Sequence, residues 1–256
     1  MQLRVAVRCA RVLVHVLKGL CICTFAFPWL DRDQRLAHIG RWSAQLLRIF
    51  RVSVELTPGS PAPTDGLWVA NHVSWMDVFV IDALYPSRFV AKSEVRRWPL
   101  IGALSARAGT VFVARGQRRA LRDTVTALAA ALAAGERVVV FPEGTSAAQG
   151  ALLPFRANLF EAAVMARTVV QPVALRYLDP SGHLHKSVEY IGDMSFLESM
   201  ASMLSGAPIR AVVVLAPALP SGGAERRDLA QRAHAAVNDM LAGRNRNTGT
   251  TAVVLS

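Results

Sequence analysis

A chain of 256 residues is long enough to bury one sizeable core, so a single catalytic or binding domain with a terminal extension is the expected organisation. With 52% hydrophobic and only 18% charged residues it is apolar for a soluble protein, which excludes a disordered or collagenous chain and directs attention to membrane contact. The formal net charge of +11 concentrates in residues 1–60, at +6, and 88–122, at +8; such patches suit an anionic membrane surface, a phosphate-bearing substrate or an acidic carrier protein. No helix-turn-helix, zinc or aromatic RNA-binding signature accompanies the charge, so no nucleic-acid partner is expected.

The chain opens with Arg4, Arg8 and Arg11, followed by an apolar run of nineteen residues from Val12 to Leu30. At ~1.5 Å per residue that run approaches the ~30 Å hydrocarbon thickness of a bilayer. His15 and Lys18 interrupt it, and a central lysine costs roughly 2.5 to 3.5 kcal/mol on insertion scales. The uninterrupted piece, Gly19 to Leu30, is too short to cross. A signal peptide is disfavoured because no small-residue cleavage site follows. Cys9, Cys21 and Cys23 fall in this segment without metal or redox spacing and read as small hydrophobes.

In a helix over residues 36–50, Leu36, Ile39, Ser43, Leu46, Leu47 and Phe50 share one arc, with Arg41 and Arg48 opposite. The expectation is a helical hairpin over residues 1–52, turned at Pro28 to Asp33, that dips into one leaflet and returns. A true span is the alternative.

Thr57 to Asp65 is rich in Pro, Gly, Ser and Thr and reads as a linker. Beyond it, strands are expected near 67–71, 88–91, 110–114, 137–141, 169–176 and 209–215. Helices are expected near 75–84, 98–107, 118–134, 157–167, 194–204 and 224–242. This alternation predicts an α/β domain over 53–243, with a central mostly parallel or mixed sheet flanked by helices. Residues 244–256 read as a flexible tail.

Two stretches carry chemistry. Asn71-His72-Val73-Ser74-Trp75-Met76-Asp77 follows the buried strand at 67–70 and supplies a histidine, a hydroxyl and a carboxylate within seven residues. Ser74 and Asp77 have the spacing of a capping box, which starts a helix at Trp75 and puts Asp77 in its first turn. In that geometry Asp77 holds one imidazole nitrogen of His72 while the other faces a pocket as a general base. Read alone, the same residues also describe a helix cap beside an ordinary histidine. The second stretch, Phe141-Pro142-Glu143-Gly144-Thr145, leaves a carboxylate and free backbone amides at the end of a β-branched strand.

Together these two motifs resemble those of the glycerolipid acyltransferase family, whose best-known members acylate 1-acylglycerol 3-phosphate. Two weaker blocks fall in the family's order, Gly109 to Arg115 between the motifs and Val170 to Leu175 after them, so the resemblance covers roughly residues 60–220. It implies an O-acyltransferase with His72 and Asp77 as its catalytic pair. It also implies Arg115, Glu143 and Gly144 at the glycerol phosphate of the acceptor, with Thr145 completing the motif. Arg156 matches a later basic position of the family. A guanidinium takes a phosphate bidentately, which makes Arg115 chemically sensible. Glu143 beside a phosphate is repulsive, so it is expected to bind a hydroxyl or orient a cation instead.

No Gly-x-Ser-x-Gly elbow occurs in the chain, which favours direct attack of the acceptor hydroxyl on an acyl thioester over an acyl-enzyme. Lys92-Ser93-Glu94 resembles a family segment near the thioester. Trp98 to Gly102 reads either as core or as the lining of an acyl groove. His15, His38, His183, His185 and His234 lack a comparable context, and no cluster has metal-ligand spacing, so neither metal nor cofactor is expected.

One departure bears on the acceptor. Phosphatidate-forming members usually continue the second motif with arginine, whereas Ser146, Ala147 and Ala148 stand here. Either Arg156 supplies the missing contact or the acceptor is phosphate-free, as for the related lyso-ornithine lipid acyltransferases. The resemblance implies a lysophospholipid acceptor and an acyl carrier protein or coenzyme A thioester as donor, while the basic patches and the hairpin lead to the expectation of anionic lipids as surroundings and a place on the cytoplasmic face of the inner membrane. A membrane-surface binding protein with a degenerate acyltransferase fold is the alternative from another class.

Overall fold

The computed structural model describes residues 2–113, 118–243 and 253–255. Its centre is a mixed sheet with strand order β4-β3-β5-β2-β6-β7-β1-β9. The strands are β1 (Val52–Leu56), β2 (Leu67–Ala70), β3 (Arg88–Lys92), β4 (Val111–Val113), β5 (Val138–Val140), β6 (Val169–Leu178), β7 (Ile209–Leu215), β8 (Leu219–Pro220) and β9 (Val253–Leu255). Pairing is parallel from β4 through β3, β5 and β2 to β6, then antiparallel between β6 and β7 and parallel again between β7 and β1. The expected α/β class is therefore what the chain forms.

β2 is the central strand, and all four of its residues are buried. Period-two alternation sends Trp68 and Ala70 to one face and Leu67 and Val69 to the other. Trp68 belongs to the core cluster that includes Leu47, Phe50, Met76, Val80 and Tyr177, and Leu67 to the one that includes Leu128, Val138, Phe160, Val170 and Leu229. Both faces of the parallel centre are thus covered, as uninterrupted apolar strands require.

The helices are α1 (Gln2–Cys21), α2 (Arg32–Ile49), α3 (Met76–Leu84), α4 (Ile101–Arg107), α5 (Arg118–Ala133), α6 (Glu161–Ala166), α7 (Phe196–Ser205) and α8 (Arg226–Leu241). α6 is preceded by a 3-10 turn at Ala157–Phe160, which together fill the single helix expected there.

Three strands go beyond the six expected. β1 is short and lies between α2 and the Pro-rich linker; its Val52 and Val54 are buried because β1 pairs with β7. β8 has two residues. β9 falls in the stretch expected to be a flexible tail and pairs antiparallel with β1; residues 244–252 and 256 lie outside the described residues.

α1 and α2 form a hairpin. Its connection runs through a π-helical turn at Ile22–Ala26 and a 3-10 turn at Phe27–Trp29, before Asp31 and Gln34 close a capping box on α2. His15 stacks on Trp42 with ring centroids 4.6 Å apart, and each backbone carbonyl accepts a hydrogen bond from the other's ring. Gly19 lets the indole approach, since a Cβ there would stand 2.5 Å from Trp42 Nε1.

The apolar arc of α2 does not face outward as expected. Ser43, Leu46, Leu47 and Phe50 are buried, and Gly40 abuts Pro86 and the backbone carbonyl of Asp82. An amphipathic arc predicts that a face is covered, and here the cover is α3 and the sheet rather than lipid. The exposed apolar stripe belongs to α1 and its turn instead: Leu3, Val7, Val14, Leu17, Phe25 and Trp29 are all more than 40% exposed. Leu3–Trp29 contains an 18-residue window of mean hydropathy 1.7 and is long and apolar enough to cross a membrane by length and composition.

Candidate active site

β2 and β5 run parallel with Val69 opposite Val140, so the residues that follow each strand emerge side by side at the carboxyl edge of the sheet. That edge is where open α/β sheets place ligands. The two motifs, seventy residues apart in sequence, meet there for this reason.

Asn71 extends β2 without adding a strand residue. Its side-chain amide donates to the Leu175 carbonyl at 3.0 Å and accepts the Leu175 N–H at 2.8 Å, which docks the start of the loop on β6. His72 follows, and its Nδ1 lies 2.7 Å from Asp77 Oδ2. The same Asp77 oxygen accepts the N–H groups of Val73 at 2.8 Å and Ser74 at 3.0 Å. The expected capping box is half formed: Asp77 reaches back to Ser74 N–H, but the Ser74 hydroxyl accepts from Met76 N–H at 3.3 Å and the helix begins at Met76. The loop turns tightly enough that the carboxylate serves the imidazole and the helix start together.

Asp77 is fully buried, and its other oxygen accepts the phenol hydrogen of Tyr177 at 2.6 Å. Burial, followed by the charge of Asp77 and this bond, pushes the Tyr177 hydroxyl well above its ordinary value, so it keeps the proton that it donates to Asp77. Sequence reasoning missed Tyr177. The available signal was a hydroxyl-bearing ring at an inward position of β6, since a buried tyrosine needs a partner for its O–H.

The imidazole of His72 also stacks on Phe141, with centroids 4.2 Å apart and planes inclined by 18°. Its side chain is 22% exposed, and Nε2 has no hydrogen-bond partner among the described residues. Asp77 and Phe141 therefore fix the ring while Nε2 stays available.

Glu143 differs from its expected role as a substrate ligand. It is 3% exposed; Oε1 accepts the backbone N–H of His72 at 2.7 Å and Oε2 that of Leu153 at 2.9 Å. Burial raises its carboxyl above the ordinary value, against the opposing effect of the two amides. With both oxygens engaged, Glu143 is a brace between the two motifs and not a wall of the site. The Ala147 N–H donates to the His72 carbonyl at 2.8 Å, adding a second tie. Ser146 donates its hydroxyl to the Tyr190 carbonyl.

Gly144 adopts φ +75°, a left-handed conformation that disfavours any side chain. A Cβ there would also stand 3.2 Å from the guanidinium carbon of Arg156. Arg156 is exposed and makes no ion pair among the described residues. Thr145 is exposed and does not line the cavity that His72 and Gly144 line, while Arg115 lies outside the described residues.

His72, Phe141, Gly144, Ser146 and Arg156 stand at one part of a cavity of about 970 Å³. The rest runs between the hairpin and the sheet domain, walled by α1, α2, α3 and the segment after β3. Aromatic rings dominate one wall, with Phe196 4.9 Å from Trp75 and 5.2 Å from Trp98 between centroids. Lys92 and Glu94 also line it. An available imidazole nitrogen and a guanidinium thus line the same long, largely apolar space, an arrangement suited to deprotonating a hydroxyl next to a fatty chain.

A family model described as Acyltransferase matches residues 51–176. Lyso-ornithine lipid O-acyltransferase of Pseudomonas aeruginosa is 35% identical over 94% of this chain and 95% of its own length. The chain belongs to the acyltransferase family. The enzyme of the same name from Rhizobium meliloti is 33% identical to this acyltransferase over 93% of the chain and 88% of its own length. The 1-acyl-sn-glycerol-3-phosphate acyltransferase of Neisseria meningitidis is 43% identical over 59% of each chain. The crystal structure of the 1-acyl-sn-glycerophosphate acyltransferase of Thermotoga maritima superposes with a TM-score of 0.62 over 95% of this acyltransferase and 100% of that chain, at 21% identity, and shares the fold.

Proposed function

We propose that this acyltransferase transfers a fatty acyl group from a thioester to the free hydroxyl of 1-acylglycerol 3-phosphate, forming phosphatidic acid. The observation that carries the reading is His72, held through Nδ1 by Asp77 with Nε2 available, on the wall of a largely apolar cavity that Arg156 also lines. His72 Nε2 takes the proton of the acceptor hydroxyl as its oxygen attacks the thioester carbon. The carbon–sulfur bond then breaks, and the imidazolium returns the proton to the departing thiolate. Asp77 orients the ring and stabilises the imidazolium, with the substrate hydroxyl in the place of an enzyme serine. Arg156, packed over Gly144, receives the anionic head group, and Arg115 joins it in this reading.

A second reading exchanges the acceptor for lyso-ornithine lipid. Two observations favour it: relatives bearing that name match nearly the whole chain, and the position after Thr145 carries Ser146, whose hydroxyl is spent on the Tyr190 carbonyl. Arg156 would then face the carboxylate of the head group.

In either reading the exposed stripe of α1, from Leu3 to Trp29, lies in the lipid with α2 packed on the protein behind it. The hairpin thereby holds the enzyme on the cytoplasmic leaflet of the inner membrane, where soluble acyl carrier protein or coenzyme A thioesters are at hand. The basic residues near the cavity, Lys92, Arg96 and Arg97, suit an acidic donor carrier or anionic lipids.

The test is acyl transfer by purified protein in detergent, offered a long-chain thioester with each lysolipid. Preference for lysophosphatidic acid supports the first reading and preference for lyso-ornithine lipid the second. Turnover that persists undiminished in a folded His72→Ala variant would remove His72 from the chemistry. Absence of turnover on every lysolipid would leave a membrane-binding protein.

A further inference from the structure

The cavity that begins at His72 is not apolar throughout. Asp82 lines it from α3 and Ser43 from α2, and both are buried, at 6% and 1% exposure. Asp82 Oδ1 accepts the N–H of Ser87 at 2.9 Å and so caps the turn from α3 into β3. That task occupies one oxygen. Oδ2 has no hydrogen-bond partner among the described residues, and neither does the Ser43 hydroxyl.

The two groups belong to helices that pack directly on each other. Gly40 abuts the Asp82 backbone carbonyl, and Ser43 lies three residues further along the same face of α2. Around them the wall is aromatic, with Trp42 and Phe79 at 5.8 Å between centroids. Neither atom is sealed from the cavity, so a carboxyl oxygen and a hydroxyl face an otherwise apolar space and set a hydrogen-bonding demand on whatever occupies it.

An occupant with an oxygen in the middle of an apolar chain meets that demand. We propose that Asp82 and Ser43 recognise a hydroxyl carried on the donor's fatty acyl chain, so that the enzyme prefers a hydroxylated acyl thioester to the unsubstituted one. The proposal rests on the acyl-transfer reading above. On α3, Asp82 stands five residues beyond Asp77, ~7.5 Å along the helix axis. The recognised hydroxyl therefore lies several carbons from the thioester and not next to it. Burial holds the Asp82 carboxyl well above its ordinary pKa, which favours the protonated form and lets it donate to the hydroxyl oxygen.

The experiment compares kcat/KM for hexadecanoyl thioester with that for hydroxyhexadecanoyl thioesters carrying the hydroxyl at successive positions, with one saturating lysolipid. The expected result is one mid-chain isomer favoured over the unsubstituted chain by about tenfold, the value of one added net hydrogen bond. In Asp82→Leu that ratio falls to about one, and in Ser43→Ala it falls part of the way. A wild-type profile that is flat or lower for every hydroxylated chain overturns the proposal, and this arm needs no variant to fold. An unchanged ratio in Asp82→Leu overturns it as well. Failure of the wild-type enzyme to transfer even the unsubstituted chain is a failure of the acyl-transfer reading itself.

Discussion

Tyr177 donates its hydroxyl hydrogen to Asp77 across 2.6 Å, from a strand one hundred residues further along the chain. Both residues are fully buried, and Asp77 spends its other oxygen on His72, Val73 and Ser74. The orientation of the histidine thus depends on β6 as well as on the loop that bears it. Tyr177→Phe leaves one Asp77 oxygen without its partner. It is expected to destabilise the protein by about 1–3 kcal/mol, measured by urea unfolding, and to lower kcat by about tenfold with little change in KM.

Asp77→Asn places an amide nitrogen among groups that already donate. It cannot serve His72 Nδ1 and the Val73 and Ser74 N–H groups as the carboxylate does. A fall in kcat of about 10²–10⁴ is expected, with secondary structure by circular dichroism unchanged. Activity within a factor of three of wild type would show that Asp77 is only a helix-start residue.

Gly144→Ala forces a side chain into a left-handed conformation and against the Arg156 guanidinium. Arg156→Ala removes the guanidinium outright. Both are expected to raise the acceptor KM, Arg156→Ala by about 10- to 100-fold, the value of a charge-assisted hydrogen bond. Equal loss in kcat with KM unmoved would place Arg156 elsewhere in the cycle.

Stability should fall as pH rises, in part through Asp82. Burial raises its folded-state pKa well above the ordinary carboxylate value. Between those two values the native protein keeps a proton that the unfolded chain has lost, so unfolding becomes easier with increasing pH. Asp82→Asn retains an acceptor for the Ser87 N–H and removes this penalty. It is expected to be more stable than wild type at pH 8, with the difference narrowing towards pH 4, in denaturant titrations at each pH. Glu143, raised in the same direction, keeps its own share of the slope in that variant.

The exposed stripe of α1 makes a separate prediction. Leu17→Glu combined with Phe25→Glu changes residues that are 43% and 74% exposed, so the fold loses little. Binding to vesicles containing anionic lipid is expected to fall at least tenfold, because burying each of these side chains in an apolar phase contributes about 1.5–3 kcal/mol. Sedimentation with vesicles measures it, and undiminished binding would assign the membrane contact to the basic surface alone.

What the sequence determined by itself is what short-range spacing and periodicity can express. Apolar strands alternating with helical patterns specified the α/β class. His72 and Asp77, five residues apart across a helix start, were legible because a loop of that length lets the carboxylate reach the imidazole without help from the rest of the chain. Only the tertiary structure decided which groups complete the site. Tyr177 reaches Asp77 because β6 lies beside β2, and Glu143 faces a backbone amide because β5 lies on the other side. Neither adjacency has a local signature. The arc of α2 shows the same limit: hydrophobic periodicity states that one face must leave water, but whether lipid, α3 or the sheet receives it is settled by packing over the whole chain.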